Sequence, residues 1–315
     1  MTATEKIVVV IFLGSIAAVY ALEILFIVIF IVNKLTAEQT TNIFWSKPAV
    51  FVHLLAIIGI ICFLYAYFIE PYWIEVKTIR IPTEKLSRTS FRLIHISDLH
   101  CGTKIGNENK LVELINAMKP DVVAFTGDTL KLHTPEALPL FKNTMKNLKA
   151  SLAKFAVLGN VDLCYLPDLD FFGGTGFEVL DANSVKLQKD GETFYISGLS
   201  CECPSAYHSL LKDVPDNRFS IFLYHYPDLV EELRNLNVDL YLAGHTHGGQ
   251  IALPFHGALI TLSKFGKKYE SGMYNVDNTI LYVNRGIGGH AWRVRFFARP
   301  EMTIFDIAPN KNRTD

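Results

Sequence analysis

Two long apolar runs open the chain and predict a pair of membrane-spanning helices. Residues 7–32 hold a single charged residue, Glu23, and residues 49–69 hold none. A helix of about 20 apolar residues crosses the hydrocarbon core of a bilayer, so both runs are long enough. The alternative for the first run, a cleaved signal peptide, would have an apolar core of only about 7–15 residues. We therefore expect residues 1–75 to form a transmembrane hairpin in which Glu23 pairs with His53.

Strand-like and helix-like patterns alternate from about residue 90 onward. The segments FRLIHIS, DVVAFTG and KFAVLGN are typical of buried strands, and NKLVELINAMK has the apolar spacing of a helix. Residues 177–200 predict short antiparallel strands, and a helix at 227–237 separates two more buried strands. Alternating strands and helices predict a mostly parallel sheet, and the paired strands predict a second sheet. Residues 76–315 are therefore expected to form one α/β domain.

Polar side chains of metal-binding type follow five of these strands. They are Asp98 and His100, Asp128, Asn160, His225, and finally His245 and His247. Because ligands of open α/β sheets collect at the carboxyl ends of strands, we expect these seven side chains to converge in one crevice. Mixed nitrogen and oxygen donors suit Mn, Fe or Zn rather than Ca. Seven donors exceed the needs of one ion, so the pattern predicts two divalent metal ions that share a carboxylate, with Mn favoured.

The motifs DLH, GD, GN, H and GHTHGGQ, in this order, resemble those of the calcineurin-like metallophosphoesterases. The segments EPYWIEV and NRGIGG…RFFARPE look like the membrane-associated bacterial branch, which includes predicted phosphodiesterases and a UDP-2,3-diacylglucosamine hydrolase. The resemblance implies a calcineurin-like sandwich of two mixed sheets flanked by helices. It also implies hydrolysis by a metal-activated hydroxide. By the same resemblance, Asp98, His100 and His247 would bind one ion, Asn160, His225 and His245 the other, and Asp128 would bridge them.

The third motif departs from the usual form of the family. GNHD is the usual sequence, and its His is thought to help protonate the leaving oxygen, whereas this chain has Val161 there. An alkoxide leaving group needs that proton and a nucleotide phosphate does not, so the change favours a diphosphate substrate. The alternative is that another group, His208 or His290, supplies the proton. Asp162, which completes the motif, would orient a metal ligand.

Two further segments have competing interpretations. Arg285, Arg293 and Arg295 form either a solvated basic edge or a phosphate clamp. Residues 165–177 combine apolar bulk with glycine, which is typical of a lid over an acyl chain or of an ordinary surface loop.

Composition and charge narrow the partners and the location. Half of the chain is hydrophobic, and its net charge of −1 gives no electrostatic case for binding nucleic acid. The five cysteines show no disulfide framework, which favours a reducing compartment. Lys6 and the basic residues after the second span outnumber Lys34 and Lys47 of the connecting loop, which favours a cytoplasmic catalytic domain at the bacterial inner membrane.

These observations predict an enzyme that acts at a lipid bilayer on a phosphorylated, amphiphilic substrate. A nucleotide-diphosphate lipid such as UDP-2,3-diacylglucosamine, from lipid A synthesis, fits both the hairpin and Val161. A broader phosphodiesterase for phospholipid headgroups or cell-wall components is the alternative within enzymes. A non-catalytic membrane binding protein on the same fold is the alternative outside them.

Overall fold

The computed structural model describes residues 1–36, 43–201, 204–233, 236–290 and 292–310. Its N-terminal part is a hairpin of α1 (Ala3–Thr36) and α2 (Lys47–Phe68). Both helices are long and apolar enough to cross a membrane. Nδ1 of His53 lies 2.6 Å from Oε2 of Glu23, which confirms the predicted pairing between the helices.

The described residues beyond the hairpin form fourteen strands and four helices. The strands are β1 (Glu75–Thr83), β2 (Phe91–Ile96), β3 (Val122–Thr126), β4 (Ala153–Val157), β5 (Glu178–Val179), β6 (Asn183–Lys189), β7 (Glu192–Leu199), β8 (Phe219–Tyr224), β9 (Leu240–Ala243), β10 (Ala252–Leu253), β11 (Gly257–Ala258), β12 (Gly272–Val276), β13 (Thr279–Val283) and β14 (Glu301–Pro309). The helices are α3 (Glu108–Met118), α4 (Leu138–Asn147), α5 (Asn160–Tyr165) and α6 (Tyr207–Lys212).

Twelve of the strands build two mixed sheets of six strands each. The first has the order β1-β14-β2-β3-β4-β5 and the second β12-β13-β9-β8-β7-β6, while β10 and β11 form a separate small hairpin. β2, β3 and β4 run parallel to one another, as do β7, β8 and β9. Their carboxyl ends are the strand ends that the polar motifs follow.

The two sheets pack face to face around an apolar core. Phe91 and Leu93 of the first sheet belong to the same buried cluster as Phe194 and Ile221 of the second, and the rings of Phe91 and Phe194 stack at 4.1 Å. α3 and α4 cover the outer face of the first sheet, whereas α6 covers that of the second. The predicted sandwich of two mixed sheets with helices outside is confirmed.

Several local elements differ from the sequence pattern. The pattern does not reveal β1 and β12, because each is an edge strand that is half exposed and holds few apolar residues. The helix expected over 227–237 begins as a short 3-10 helix, Pro227–Glu232, and positions 234 and 235 of that range lie outside the described residues. Residues 165–177 are no free lid, since Phe171, Phe172 and Phe177 are buried in the core outside the first sheet.

Candidate metal centre

The carboxyl ends of five strands bring all seven predicted ligands into one cleft. Ligand atoms of Asp98, His100 and His247 lie within 4.8 Å of one another, as do those of Asp98, Asp128 and His225. Oδ1 of Asn160 lies 3.1 Å from Nε2 of His225, and the ring of His245 packs 5.1 Å from the His225 ring.

Asp128 stands between two histidines of this cluster. Its Oδ2 atom lies 3.5 Å from Nε2 of His100 and 3.5 Å from Nε2 of His225. The other oxygen, Oδ1, accepts a hydrogen bond of 2.9 Å from the amide of Val161, which fixes the carboxylate plane. One oxygen is thus held by the backbone while the other faces both histidines, as a bridging ligand requires.

Backbone carbonyls orient two of the imidazoles from behind. Nδ1 of His225 lies 2.6 Å from the carbonyl oxygen of Thr126, so its Nε2 faces Asp128. Nε2 of His245 lies 3.4 Å from the carbonyl of Leu262, which leaves Nδ1 for the cleft. Such contacts select the tautomer and ring orientation of metal-binding histidines.

The backbone turns sharply at most of these residues. Asp98, His100, Asp128, His245 and His247 have φ values of 49, 40, 60, 69 and 54°. Side chains other than glycine rarely adopt this left-handed region, and such conformations cluster at functional sites, where the surrounding structure enforces them.

Burial governs the protonation of the cluster. It lowers the pKa of His100 to about 4 and that of His245 to about 3, so both imidazoles are neutral at pH 7, the form that binds metals. It raises the pKa of Asp98 to about 7. Burial opposes charge on Asp128 and His225 as well, but their mutual attraction prevails, lowering the pKa of Asp128 and raising that of His225 to about 10.

The charge balance of the cleft fits divalent cations. Asp98, Asp128 and Asp162 are at most 2% exposed, and no lysine or arginine in the described part of the chain forms an ion pair with them. Oδ1 of Asp98 is buried and makes no hydrogen bond. Without metal, Asp98 is about half protonated at pH 7, and the single positive charge of His225 is shared by the ionised Asp128 and Asp162, so the cluster is short of positive charge. The residues present therefore fit two divalent ions.

Asp162 lies beneath the cluster rather than in it. Its carboxylate accepts hydrogen bonds from the amides of Asp128, Thr129 and Gly159 and from the Thr129 hydroxyl, at 2.6–2.9 Å. Burial and the nearby Asp128 charge raise the pKa of Asp162 to about 6, so it is ionised at neutral pH. It holds the backbone of the Asp128 turn.

The two histidines considered as proton sources have different positions. A ring nitrogen of His290 lies within 4.8 Å of ligand atoms of His100 and Asp128, whereas His208 is exposed on α6 against Tyr207. Val161 is completely buried. The GGH sequence before the final strand was the available signal for His290. Tyr226, whose ring packs 4.4 Å from His245, is a neighbour that no sequence pattern indicated.

Arg295 and Arg285 form neither a solvated basic edge nor a phosphate clamp, because other protein groups occupy both guanidinium groups. Arg295 is 1% exposed and donates hydrogen bonds to the carbonyls of Arg285, Gly286, Gly288 and Ala298. Arg285 pairs with Glu75 and Glu301. Arg293 remains, half-buried, with its guanidinium 5.4 Å from the Tyr72 ring centroid.

Comparisons with known proteins agree with this arrangement. The model of the calcineurin-like phosphoesterase family matches residues 91–249. The uncharacterised metallophosphoesterase YkuE of Bacillus subtilis is 33% identical over 267 residues, which cover 77% of this chain and 88% of YkuE. Phosphodiesterase YaeI of Escherichia coli is 25% identical, covering 78% and 92% of the two chains. UDP-2,3-diacylglucosamine pyrophosphatase LpxG of Chlamydia muridarum is 26% identical, with the same coverage.

Proposed function

Since the chain belongs to the calcineurin-like phosphoesterase family, whose members are hydrolases of phosphoester bonds, we propose that it is a membrane-anchored enzyme that cleaves a pyrophosphate bond in a nucleotide-diphosphate lipid such as UDP-2,3-diacylglucosamine. The proposed cofactors are two divalent ions, with Mn favoured over Fe or Zn. The observation that carries metal-dependent hydrolysis is the equal spacing of the Asp128 oxygen from His100 and His225, and Val161 carries the preference for a pyrophosphate bond.

The donor set divides into two groups around Asp128. Asp98, His100 and His247 would hold one ion, and Asn160, His225 and His245 the other. When bound, two such ions lower the pKa of water and neutralise charge on phosphoryl oxygens. The protein's own share is orientation: Thr126 and Leu262 fix imidazoles, and Val161 fixes the Asp128 carboxylate through its amide.

Two features of the chain and one comparison favour a nucleotide-diphosphate lipid. Val161 removes the usual proton donor of the third motif, which a phosphate leaving group does not require. The hairpin of α1 and α2 would hold the cleft at a bilayer, where amphiphilic substrates reside. The similarity to LpxG, named for activity on UDP-2,3-diacylglucosamine, points to the same substrate class.

The proposed location is the cytoplasmic face of a bacterial inner membrane. Lys6 and the basic residues after α2 would lie on the same side as the catalytic domain, and the positive-inside rule favours the cytoplasm for that side. The proposed partners are the lipid bilayer and the phosphorylated substrate.

A phosphodiesterase acting on phospholipid headgroups or cell-wall components is the second candidate. It is favoured by His290, which lies beside His100 and Asp128 and would assist an alkoxide leaving group. The similarity to YaeI, named as a phosphodiesterase, favours it too.

Hydrolysis of UDP-2,3-diacylglucosamine by the detergent-solubilised chain with Mn tests the proposal. UMP release is expected, and Asn160→Ala should abolish it, whereas Asn109→Ala on the exposed face of α3 should not. Cleavage of bis-p-nitrophenyl phosphate with no UMP release would discard the nucleotide lipid and retain the metal site.

A further inference from the structure

The first turn of α1 is tied to the rim of the metal cleft. Glu5 is 3% exposed, and its Oε1 accepts hydrogen bonds from the Thr261 amide at 3.0 Å and the Thr261 hydroxyl at 2.8 Å. The next residue, Leu262, contacts His245 through its carbonyl. Met1 and Tyr226, the latter packed on His245, line one cavity of about 430 Å³. The start of the first apolar helix therefore lies beside one side of the cleft.

The end of α2 is tied to a second loop that borders the metal cluster. Glu70 is 1% exposed, and its two oxygens accept hydrogen bonds from the amides of Phe297 and Ala298 at 3.0 and 2.6 Å. The amide of Arg295 donates to the carbonyl of Ala66 within α2. These residues belong to the segment 285–300, which also holds His290 at the cleft.

The loops that border the metal cluster therefore lie at the end of the hairpin where its helices would enter a bilayer. The start of α1 and the end of α2 lie at the same end of an antiparallel hairpin, because Glu23 pairs with His53 and Tyr20 with Ala56. Each of these helix ends contacts a loop that borders the cleft. A membrane around the helices would consequently begin at the mouth of the cleft.

Large apolar side chains are exposed on these same loops. We call Phe255, Leu262, Trp292 and Phe297 the apolar rim; Phe255 is fully exposed, and the exposed fractions of the other three are 50, 74 and 59%. Phe255 is at the tip of the β10–β11 hairpin, and its neighbour His256 lines a cavity together with Thr4 and Val8 of α1. Phe297 lies next to Phe296, whose ring contacts Tyr65 of α2. Each end of the rim is thus continuous with a helix of the hairpin.

Basic residues accompany the rim. Lys264 and Lys268 are exposed, Lys267 is partly exposed, and they enclose Phe265 in the sequence SKFGKKY. Arg299 stacks on Trp73 at 4.0 Å just beyond α2. Aromatic side chains with neighbouring lysines and arginines are typical of segments that lie among lipid headgroups.

We propose that the apolar rim is embedded in the membrane interface, so that the cleft takes its phosphorylated substrate from the plane of the bilayer. The inference rests on the proposed function in one respect, namely that α1 and α2 span a membrane. The occupant of the surface is the lipid bilayer itself, with phosphate headgroups opposite the lysines and acyl chains against Phe255. An aromatic side chain in this position would lie about 5–10 Å deep, at the boundary of headgroups and acyl chains.

Depth-dependent quenching of a single tryptophan tests the proposal. Phe255→Trp would be introduced into the full chain after Trp45, Trp73 and Trp292 have each been changed to Phe, and the protein reconstituted in vesicles of phosphatidylcholine and phosphatidylglycerol. Leu152→Trp is the matched control, because Leu152 is an exposed apolar residue directly before β4, at the amino ends of the parallel strands. Lipids brominated near the headgroup and aqueous acrylamide are the two quenchers.

The expected result is that brominated lipid quenches the Phe255→Trp variant several-fold more strongly than the Leu152→Trp variant, with acrylamide showing the reverse order. Equal, strong quenching of both variants by acrylamide would overturn the proposal. Hydrolysis of UDP-2,3-diacylglucosamine in the same vesicles, measured as UMP release, separates the two ideas. If hydrolysis is retained but acrylamide quenches the indole of the Phe255→Trp variant as strongly as that of the control, only the membrane position of the apolar rim is contradicted. If lipid quenches this indole but no hydrolysis occurs, only the proposed function is contradicted.

Discussion

Asp162 accepts a hydrogen bond from the backbone amide of Asp128, with 2.9 Å between Oδ2 and the nitrogen. The side chain of Asp128 faces both His100 and His225, and its backbone has φ of 60°. A turn in this left-handed region costs on the order of 1–2 kcal/mol, so it needs support from its surroundings. The buried carboxylate of Asp162 gives that support. It contacts the backbone amide of Asp128 and not the side-chain atoms that would bind metal.

We expect Asp162→Asn to weaken metal binding by about 10–100-fold, the range typical of residues that orient metal ligands. The carboxylate accepts hydrogen bonds from four donors with two oxygens. The Asn side chain has one acceptor oxygen, and its NH₂ group would face the donors that bonded to the other oxygen. Metal content after dialysis against graded Mn measures the effect. Asp168→Asn, at an exposed position, is the control. Unchanged metal content in Asp162→Asn would show that the Asp128 turn is stable by itself.

Gly286 allows the loop before β14 to approach Asp98 closely. A Cβ atom on Gly286 would lie 2.6 Å from Cβ of Asp98, and its φ is 71°. We expect Gly286→Ala to displace Asp98 and reduce hydrolysis by about 10²-fold, as a shift of about 1 Å does in an active site. Activity with saturating Mn is the measurement.

Gly174→Ala separates this clash from backbone strain. Gly174 has φ of 78°, but a Cβ atom there would meet nothing within 4 Å. The control should lose stability and retain activity. Equal activity losses in the two variants would mean that the positive φ, rather than the contact with Asp98, explains the effect of Gly286→Ala.

The stabilisation by Mn should increase as the pH rises from about 6 to 9. In the metal-free protein, burial raises the pKa of Asp98 to about 7. Burial lowers the pKa of His225, but the negative charge of Asp128 outweighs it and raises this pKa to about 10. Raised folded-state pKa values contribute stability that is complete below the unfolded values and is lost as the pH rises through the folded values. Bound metal replaces both protons and removes that loss.

Thermal unfolding with Mn and with a chelator, compared at each pH, measures this difference. The lowered pKa values of His100 and His245 act in the opposite direction, but their contribution is lost only as the pH falls below about 6.5. A difference in Tm that does not grow between pH 6 and 7 would contradict the assignment of Asp98 and His225 as metal ligands, and one that stays constant or shrinks above pH 7 would contradict that of His225.

The cleft could be predicted from the sequence because each ligand directly follows an apolar strand. Asp98, Asp128 and His225 are a short distance along the chain from Ile96, Thr126 and Tyr224, where their strands end. The convergence of parallel strand ends is a general property of such sheets, so local patterns were sufficient.

The contacts that surround the cleft could not be predicted in this way. In the sequence, Arg295 has the pattern of an exposed basic residue. The folded loop places four backbone carbonyls around its guanidinium, which no local pattern indicates. Glu5 and Thr261 are separated by 256 positions, and no local pattern relates them. Edge strand β1 pairs with β14, which is more than 200 residues later in the sequence, and hydrophobic periodicity does not indicate such a long-range pairing.

His290 distinguishes the two candidate functions through the leaving group. An alkoxide released from a lipid headgroup diester needs a proton, whereas UMP leaves as a stable anion. If a phosphodiester is the natural substrate, His290→Ala should reduce its hydrolysis by about 10²–10⁴-fold, the usual contribution of a general acid. Cleavage of a nucleotide diphosphate should change little. His208→Ala, on the exposed side of α6, should affect neither.

Rates for an alkyl diester, bis-p-nitrophenyl phosphate and UDP-2,3-diacylglucosamine, measured for each variant at saturating Mn, make the comparison. Equal losses on all three substrates would mean that His290 holds the metal cluster in place and does not act on the leaving oxygen.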